Sequence, residues 1–233
     1  MDTFHADQPS QIEIYAIKNS NHIRNETYRA LFHTLSPDRQ DYVSKFRRAS
    51  DYQRSVLGDA MVYRILRDKL GLDPMNIEIV RNAYGKPFLK DHDNLHFNVS
   101  HSGHWIVCAV SHEPVGIDVE KIEAIDMDIA KRYFHKTEFN SLLSCDPSVR
   151  LSRFFDLWTL KESYIKAVGK GLHLPLDSFA LALQDGEWDP IVGEDGETYY
   201  FKQYAVEEGY KLSVCGISRH FPKNVHFVTA EEL

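Results

Sequence analysis

Two segments of the chain place charged side chains where regular structure favours apolar ones. They are Gly116–Ile122 and Phe154–Lys166, and both are otherwise rich in apolar residues. The charged residues of interest in them are Asp118, Glu120, Glu162 and Lys166. Carboxylates that face one another inside a fold are costly unless a cation neutralises them. These segments are therefore the first candidates for chemistry.

The spacing of these residues predicts how they meet. Asp118 and Glu120 lie two apart in a run that is typical of a strand, so both point to one side. Glu162 lies on a predicted amphipathic helix, and Lys166 follows one turn later on the same face. If strand and helix pack together, the three carboxylates converge into an oxygen-only site of the kind that suits Mg²⁺ with a phosphate co-ligand. Spacing alone leaves open a solvated edge strand beside an ordinary i,i+4 helix pair.

Composition narrows the class of protein. The 233 residues are 43% hydrophobic and 26% charged, which is globular composition with room for one large or two small domains. The net charge of −7 argues against nucleic acid as the main partner. No apolar stretch is long enough for a membrane span, and the N-terminus lacks a signal-peptide pattern. The three scattered cysteines fit neither a disulfide framework nor a zinc site, so we expect a cytoplasmic protein.

The order of predicted elements repeats along the chain. Cap-like residues at Ser36–Asp38 and Thr137–Glu138 open helical patterns. Longer helices are predicted at 51–69 and 153–168, each followed by the glycine expected at a helix C-terminus. Strands are expected at 77–80, 107–111, 179–183 and 214–218.

This repetition predicts an α+β fold of two similar halves related by a pseudo-twofold. We expect the halves to be residues 1–113 and 114–233, with the active site in the cleft between them, where ligand sites are common. The segment 184–197, rich in Gly, Asp and Glu, is predicted to be a surface hairpin connection.

Two segments of the first half are candidates to face the carboxylates. Tyr84–Pro87 is a turn with a lysine between Gly and Pro, and Asn98–Gly103 offers hydroxyls, an imidazole and backbone N–H groups that can hold phosphate. A simple surface turn and a Ser/Asn turn with an incidental histidine are the alternatives. The stretch from Arg39 to Lys69 is basic and could meet phosphates, although a solvated helix face explains most such runs.

Five segments, in order, resemble the 4′-phosphopantetheinyl transferases, and the Sfp type that activates surfactin and gramicidin synthetases in particular. Gly116–Glu120 and Trp158–Lys166 look like the two signature motifs of that family. Tyr84–Pro87, Phe97–Gly103 and Lys170–Phe179 match further motifs. The resemblance covers all but the extreme N-terminus and agrees with the family's pseudo-twofold fold.

The resemblance implies an enzyme that transfers the 4′-phosphopantetheine group of coenzyme A to a serine of apo peptidyl or acyl carrier protein domains. Adenosine 3′,5′-bisphosphate is the other product, Mg²⁺ is required with Mn²⁺ as an alternative, and nonribosomal peptide synthetases are the implied targets. Asp118, Glu120 and Glu162 match the metal ligands. Glu162 also matches the group that deprotonates the serine, and Lys166 matches a lysine near the developing charge. A monomer is expected, because the pseudo-twofold already closes the site.

The resemblance also implies contacts with coenzyme A. The matching residues are Arg39, Arg54, Ser55, Tyr84, Gly85, Lys86, Pro87, Ser100, His101 and Lys166. Lys86 and its neighbours match residues near the adenine end, whereas Ser100 and His101 match phosphate contacts. Relatives often carry two lysines where this chain has Arg39 and Tyr42; we leave Tyr42 out of the site.

Carrier docking must be local, because carrier domains are usually acidic around their serine and this chain is acidic overall. Apolar and basic residues that follow the metal strand suit such a surface. They are Ile125, Met127, Lys131, Arg132 and Phe134. The alternative is that the apolar members belong to the core.

Other functions remain to be weighed. The strongest rival is another Mg²⁺-dependent phosphotransferase or phosphohydrolase that acts on a nucleotide diphosphate with the same carboxylates. No P-loop and no Gly-x-Ser-x-Gly elbow occur in the sequence. A non-catalytic binding module is expected to lack one of the carboxylates or Lys166, and all four are present.

Overall fold

The computed structural model describes residues 12–72 and 76–233. The N-terminal residues on which the expected absence of a signal peptide rests lie outside these ranges. The helices are Asn25–Thr34 (α1), Pro37–Ser44 (α2), Ala49–Leu70 (α3), Asp128–Tyr133 (α4), Lys136–Ser144 (α5) and Pro147–Val168 (α6). The strands are Glu13–Lys18 (β1), Ile79–Arg81 (β2), Pro87–Leu89 (β3), His96–Ser102 (β4), Trp105–Ser111 (β5), Val115–Lys121 (β6), Leu183–Gln184 (β7), Glu187–Trp188 (β8), Ile191–Val192 (β9), Thr198–Tyr204 (β10), Tyr210–Gly216 (β11) and His226–Val228 (β12). No helix within the described ranges combines the length and the apolar character that crossing a membrane demands.

The two halves repeat one arrangement. The larger sheets have the orders β12-β1-β5-β4 and β6-β11-β10-β9. In both, a central strand (β5 or β11) lies antiparallel between the first and the penultimate long strand of its half. Three helices follow the first strand of each half, the last of them long. The predicted α+β fold of two similar halves is therefore confirmed.

The boundary between the halves at residue 113 stays a prediction. One segment crosses it, because β12 pairs in parallel with β1, and Ala230 is buried in the core of the first half.

The long helices α3 and α6 extend beyond the predicted ranges 51–69 and 153–168. Both end at a glycine with positive φ, 65° at Gly71 and 79° at Gly169, as the C-terminal glycines indicate. α6 starts earlier than predicted because the Asp146 side chain accepts a hydrogen bond from the N–H of Ser148, and Pro147 occupies the first turn. Its first turns are polar and lack the apolar stripe on which the prediction depended.

The strand predicted at 179–183 is wrong. A 3₁₀ turn at Leu176–Ser178 is followed by irregular chain as far as β7. The carbonyl of Phe179 accepts from Lys161 Nζ at 2.7 Å, and the N–H of Leu181 donates to Glu138 at 2.8 Å. Side chains thus satisfy backbone groups that a strand would pair. The segment 184–197 holds the turns of two short hairpins, as predicted for a surface connection.

The two sheets meet where β4 lies along β6. Asn98 Oδ1 accepts from the N–H of Ile117 at 2.9 Å, and Ser102 Oγ accepts from the N–H of Lys121 at 3.1 Å. Polar side chains of the first half therefore cover the edge strand of the second half, which would otherwise present unpaired N–H groups. The seam between the halves is the place where β4, β6 and α6 come together.

Gly116 permits the close approach of β6 and α6. A Cβ at this position would overlap the carbonyl oxygen of Ser163 and the nitrogen of Ala167, and would lie 3.0 Å from the carbonyl carbon of Lys166. These are backbone atoms of a helix, so no change of side-chain rotamer can relieve the overlap. The glycine of the first signature segment thus has a packing role.

We expect Gly116→Ala to destabilise the protein by about 3 kcal/mol, at the upper end for overpacking. Denaturant unfolding measures the change. Gly216→Ala is the matched control on the paired strand β11, because its Cβ would meet mainly the mobile end of the Ile12 side chain at 3.0 Å. Equal losses in the two variants would contradict the close-approach explanation.

Candidate active site

Asp118 lies on β6 at the seam and is 2% exposed. Its Oδ1 accepts from Ser100 Oγ at 2.7 Å and from Lys166 Nζ at 2.5 Å. Its Oδ2 is buried and has no hydrogen-bond partner among the described residues. Buried polar atoms are rarely left without a partner, so this oxygen indicates a site that receives a cation or a donor.

Glu120 and Glu162 share the electrostatic environment of Asp118. Burial and then the charge of Asp118 raise the pKa of Glu120, whose Oε2 accepts from Ser102 at 2.6 Å. Burial and then the Asp118 charge raise the pKa of Glu162 to about 7, and Lys166 opposes the rise. Three carboxylates therefore disfavour one another's charge, with one ammonium group among them.

The carboxylate oxygens of Asp118, Glu120 and Glu162 suit a hard divalent cation, although they are not arranged around one common point. Across residues 12–72 and 76–233, no group of three or more acidic, histidine or cysteine side chains surrounds a common point in metal-binding geometry. The fit rests on the partnerless Oδ2 of Asp118 and on carboxylate oxygen as the ligand that such ions prefer. A solvated edge strand is not supported, because Asp118 is buried. An ordinary i,i+4 pair of Glu162 with Lys166 is not supported either, because Lys166 pairs with Asp118.

A cavity of about 810 Å³ opens in the first half, between α2, α3 and strands β2 to β4. The predicted coenzyme A contacts that line it are Arg39, Arg54, Ser55, Pro87 and His101. Tyr42, which the sequence analysis leaves out, also lines it. The cavity thus brings together residues that are distant in sequence. Arg39, Arg54 and Ser55 lie within the basic stretch 39–69, whereas Pro87 and His101 lie outside it.

Arg54 is a partly buried cation that lines this cavity. Its Nη1 donates to the carbonyl of Gly103 at 3.2 Å, and its Nη2 pairs with Asp51. Its Nε is buried with no partner among the described residues. Burial and then the charge of Arg54 lower the pKa of His101, which favours a neutral imidazole there. Because Arg54 lines the cavity, an anion that enters it would meet this guanidinium group.

Of the turn at Tyr84–Pro87, only Pro87 lines the described cavity. Lys86 Nζ points into the seam, where it donates to the carbonyls of Ala167 at 2.9 Å and Val115 at 3.4 Å. Burial lowers its pKa to about 8. Lys86 therefore ties the two halves together at the end of α6, and it does not line the described cavity. Tyr84 is 48% exposed and packs against His173 at a ring distance of 5.1 Å.

The predicted docking residues differ in their exposure to solvent. Lys131 and Arg132 are exposed, whereas Ile125 and Met127 are partly buried against the second-half core. Phe134 is 3% exposed and stacks on Phe154, so it belongs to the core, and its prediction as a surface residue is corrected.

A second cavity, of about 520 Å³, adjoins Glu162. Its lining includes Arg132, Tyr133, Trp158 and Leu172, of which only Arg132 was singled out from the sequence. Leu172 is 75% exposed in the 3₁₀ turn Gly171–His173. It belongs to the segment Lys170–Phe179, which was matched as a motif, but its exposure could not be predicted.

Comparisons with known proteins cover both halves. The sequence profile of the 4′-phosphopantetheinyl transferase superfamily matches residues 114–215, and that of the 4′-phosphopantetheinyl transferase N-terminal region matches residues 22–113. The chain is 39% identical to the 4′-phosphopantetheinyl transferase Sfp of Bacillus subtilis (strain 168), over 95% of its own length and all of that protein.

Two further matches differ in weight. The chain is 38% identical to the 4′-phosphopantetheinyl transferase gsp of Aneurinibacillus migulanus, over 88% of this chain and 86% of that one. The crystal structure of Thermotoga maritima holo-[acyl-carrier-protein] synthase matches with a TM-score of 0.36 and 17% identity, over 46% of this chain and 64% of that one, which adds nothing to the assignment. The full-length matches are sufficient, and the chain belongs to the 4′-phosphopantetheinyl transferase family.

Proposed function

We propose that this protein transfers the 4′-phosphopantetheine group of coenzyme A to a serine of apo peptidyl or acyl carrier protein domains, in the presence of Mg²⁺ or Mn²⁺. The observation that carries the proposal is a pair of buried atoms without partners in the described residues. One is an acceptor, Asp118 Oδ2, and the other is a donor, Arg54 Nε. Bound Mg²⁺ would supply a partner to the carboxylate of Asp118, and a bound diphosphate would supply an acceptor to the guanidinium of Arg54.

The reaction forms a bond between the serine oxygen and the β-phosphorus of coenzyme A. It breaks the bond from that phosphorus to the bridging oxygen of the diphosphate, which leaves as part of adenosine 3′,5′-bisphosphate. Asp118, Glu120 and Glu162 would hold Mg²⁺, and the bound ion would offset the charge that collects on the leaving phosphate. Glu162 faces the second cavity, from which the acceptor serine can approach, and it takes the proton of the hydroxyl. Lys166 and Ser100 hold Asp118 in place through Oδ1. Most of the catalysis is positioning and charge stabilisation.

The rival phosphohydrolase is not favoured. The relatives that match most of the chain are named 4′-phosphopantetheinyl transferases. Glu162 also opens on a cavity whose lining includes the apolar surfaces of Tyr133, Trp158 and Leu172. Such a surface suits the apolar side chains around a carrier serine, and the exposed Lys131 and Arg132 suit its acidic residues. We therefore infer that the carrier docks over this second cavity, with nonribosomal peptide synthetases as the targets.

Intact-mass spectrometry of an apo peptidyl carrier domain tests the function. The carrier is incubated with coenzyme A and Mg²⁺, with and without this protein. We expect the mass of a phosphopantetheine group to be added, and we expect EDTA to prevent the addition. Breakdown of coenzyme A without any gain of mass by several peptidyl and acyl carriers would favour the phosphohydrolase instead.

Lys166→Ala is expected to lower turnover by about 10²-fold while the KM for coenzyme A changes by less than about threefold. The reason is that Lys166 Nζ bonds Asp118 and Ser100 at the carboxylates and does not line the first-half cavity. Steady-state kinetics with a saturating carrier measure both constants. Lys170→Ala, an exposed lysine paired with Glu194, is the control. A larger change in KM than in turnover would assign Lys166 to binding only.

We further infer a reducing, cytoplasmic setting and a monomer. Cys108, Cys145 and Cys215 are all free thiols, which suits a reducing compartment. The cavity and the carboxylates come from one chain, so the site needs no second subunit.

A further inference from the structure

Asp59 is a partly buried carboxylate in the first-half cavity and is not among the predicted coenzyme A contacts. It follows Ser55 by one turn of α3, and both line the cavity. Asp59 binds Arg39 side-on: Nε donates to Oδ2 at 3.0 Å, and Nη2 donates to Oδ1 at 3.0 Å and to Oδ2 at 2.7 Å. This bidentate geometry holds a guanidinium group in one orientation.

A second contact fixes the face of the same guanidinium. Its carbon lies 4.6 Å from the centroid of the Tyr42 ring, which packs edge-on against Phe46. Asp59 therefore holds one edge of Arg39 and Tyr42 holds one face. Nη1 forms no hydrogen bond with any described residue, so a donor remains on a group that is already oriented.

The charges along the cavity explain why orientation matters. Four carboxylates and three guanidinium groups, with one imidazole, belong to its described lining. Such a cavity has no excess of positive charge to attract a phosphate from a distance. Its selectivity must come from directed hydrogen bonds, and a preorganised arginine supplies them at low entropic cost.

The position of Arg39 relative to the carboxylates bears on which phosphate of coenzyme A it would meet. Arg54 bonds Gly103 at the end of β4, the strand whose Ser100 contacts Asp118. The diphosphate must lie toward this end, because bond breaking takes place at the carboxylates. Asp59 is five residues further along α3, which is about 7 Å along the helix axis. The resemblance implies that Arg39 meets the 3′-phosphate, because relatives often carry lysines at the positions of Arg39 and Tyr42.

We propose that Asp59 is a positioning residue for coenzyme A, which fixes Arg39 against Tyr42 so that the guanidinium binds the 3′-phosphate. The inference rests on the proposed function, since it needs the nucleotide in the first-half cavity. If Asp59 acts by orienting Arg39, its presence strengthens binding of the 3′-phosphate, although its own charge is negative. A purely electrostatic role would have the opposite sign.

The test compares coenzyme A with 3′-dephospho-coenzyme A as donors for Asp59→Asn. We expect kcat/KM for coenzyme A to fall about tenfold through KM, because one charge-assisted contact is weakened, with kcat unchanged. For the dephospho donor we expect a change below about twofold. Asp68→Asn is the matched control: it is also an α3 aspartate paired with an arginine, but it is exposed and outside the cavity. Equal losses for both donors, or tighter binding of coenzyme A, would overturn the proposal.

Arg39→Lys keeps the test decisive if Asp59→Asn fails to fold. A lysine cannot form the side-on pair, so we expect the same selective loss in Arg39→Lys. Where Asp59→Asn folds, the double variant should lose no more than Arg39→Lys alone. Additive losses, or equal losses for both donors in Arg39→Lys, would overturn the inference. If the wild-type protein transfers nothing from coenzyme A, the proposed function itself has failed. Transfer by the wild type with unchanged KM in Asp59→Asn removes only the role of Asp59.

Discussion

Asp118→Asn is expected to lower the turnover of phosphopantetheine transfer by about 10³-fold, the cost of removing one preorganised charge from a reacting centre. Asparagine has the same shape and can still accept from Ser100 and Lys166 through one oxygen, as Asp118 Oδ1 does. It loses the charge and the second carboxylate oxygen, which is the buried atom without a partner. The intact-mass assay, run as a time course, measures the rate.

The stability of the same variant separates a role at the site from a structural role. We expect its free energy of unfolding to fall by less than about 1 kcal/mol, because the substitution removes one of three mutually unfavourable charges. Asp156→Asn is the matched control, an aspartate of the same half paired with Lys211 at 2.7 Å. It should keep its turnover. A large loss of stability in Asp118→Asn, or turnover close to that of the wild type, would contradict the metal-ligand assignment.

The meeting of Asp118, Glu120 and Glu162 at one seam could be predicted from local patterns. A period of two places both strand carboxylates on one face, and the 3.6-residue period of a long helix sets the face of Glu162. What the pattern could not reveal was how close strand and helix come. That depends on Gly116, whose missing side chain lets β6 rest against the backbone of α6.

The direction of long side chains could not be predicted. Lys86 stands in a matching motif, yet its amino group turns toward the carbonyls at the end of α6. Asp59 and Arg39 are 20 residues apart and on different helices, so their pairing depends on how α2 packs on α3. Phe134 lies two positions after the exposed Arg132, and its burial and its stack with Phe154 show that it is core. Tertiary packing decides each of these cases, and periodicity carries no information about it.

The backbone of the segment that follows α6 depends on one buried ion pair. Lys161 and Glu138 are 0% and 2% exposed at the side chain and lie 2.8 Å apart. Lys161 Nζ also donates to the carbonyls of Leu176 and Phe179, and Glu138 accepts from the N–H groups of Leu181 and His135. Burial lowers the pKa of Lys161, and Glu138 opposes that change. The pair thus joins α5, α6 and the chain that borders the second cavity.

Lys161→Met is expected to reduce the free energy of unfolding by about 3–5 kcal/mol, because Glu138 would stay buried without its counter-charge. Denaturant unfolding measures the loss. Lys170→Met is the matched control on the same part of the chain, and its exposed pair with Glu194 should contribute no more than about 1 kcal/mol. Adding Glu138→Gln to Lys161→Met removes the uncompensated charge, and we expect it to recover part of the loss. If the double variant is less stable than Lys161→Met alone, the charge is not the cause, and the lost bonds to Leu176 and Phe179 explain the effect.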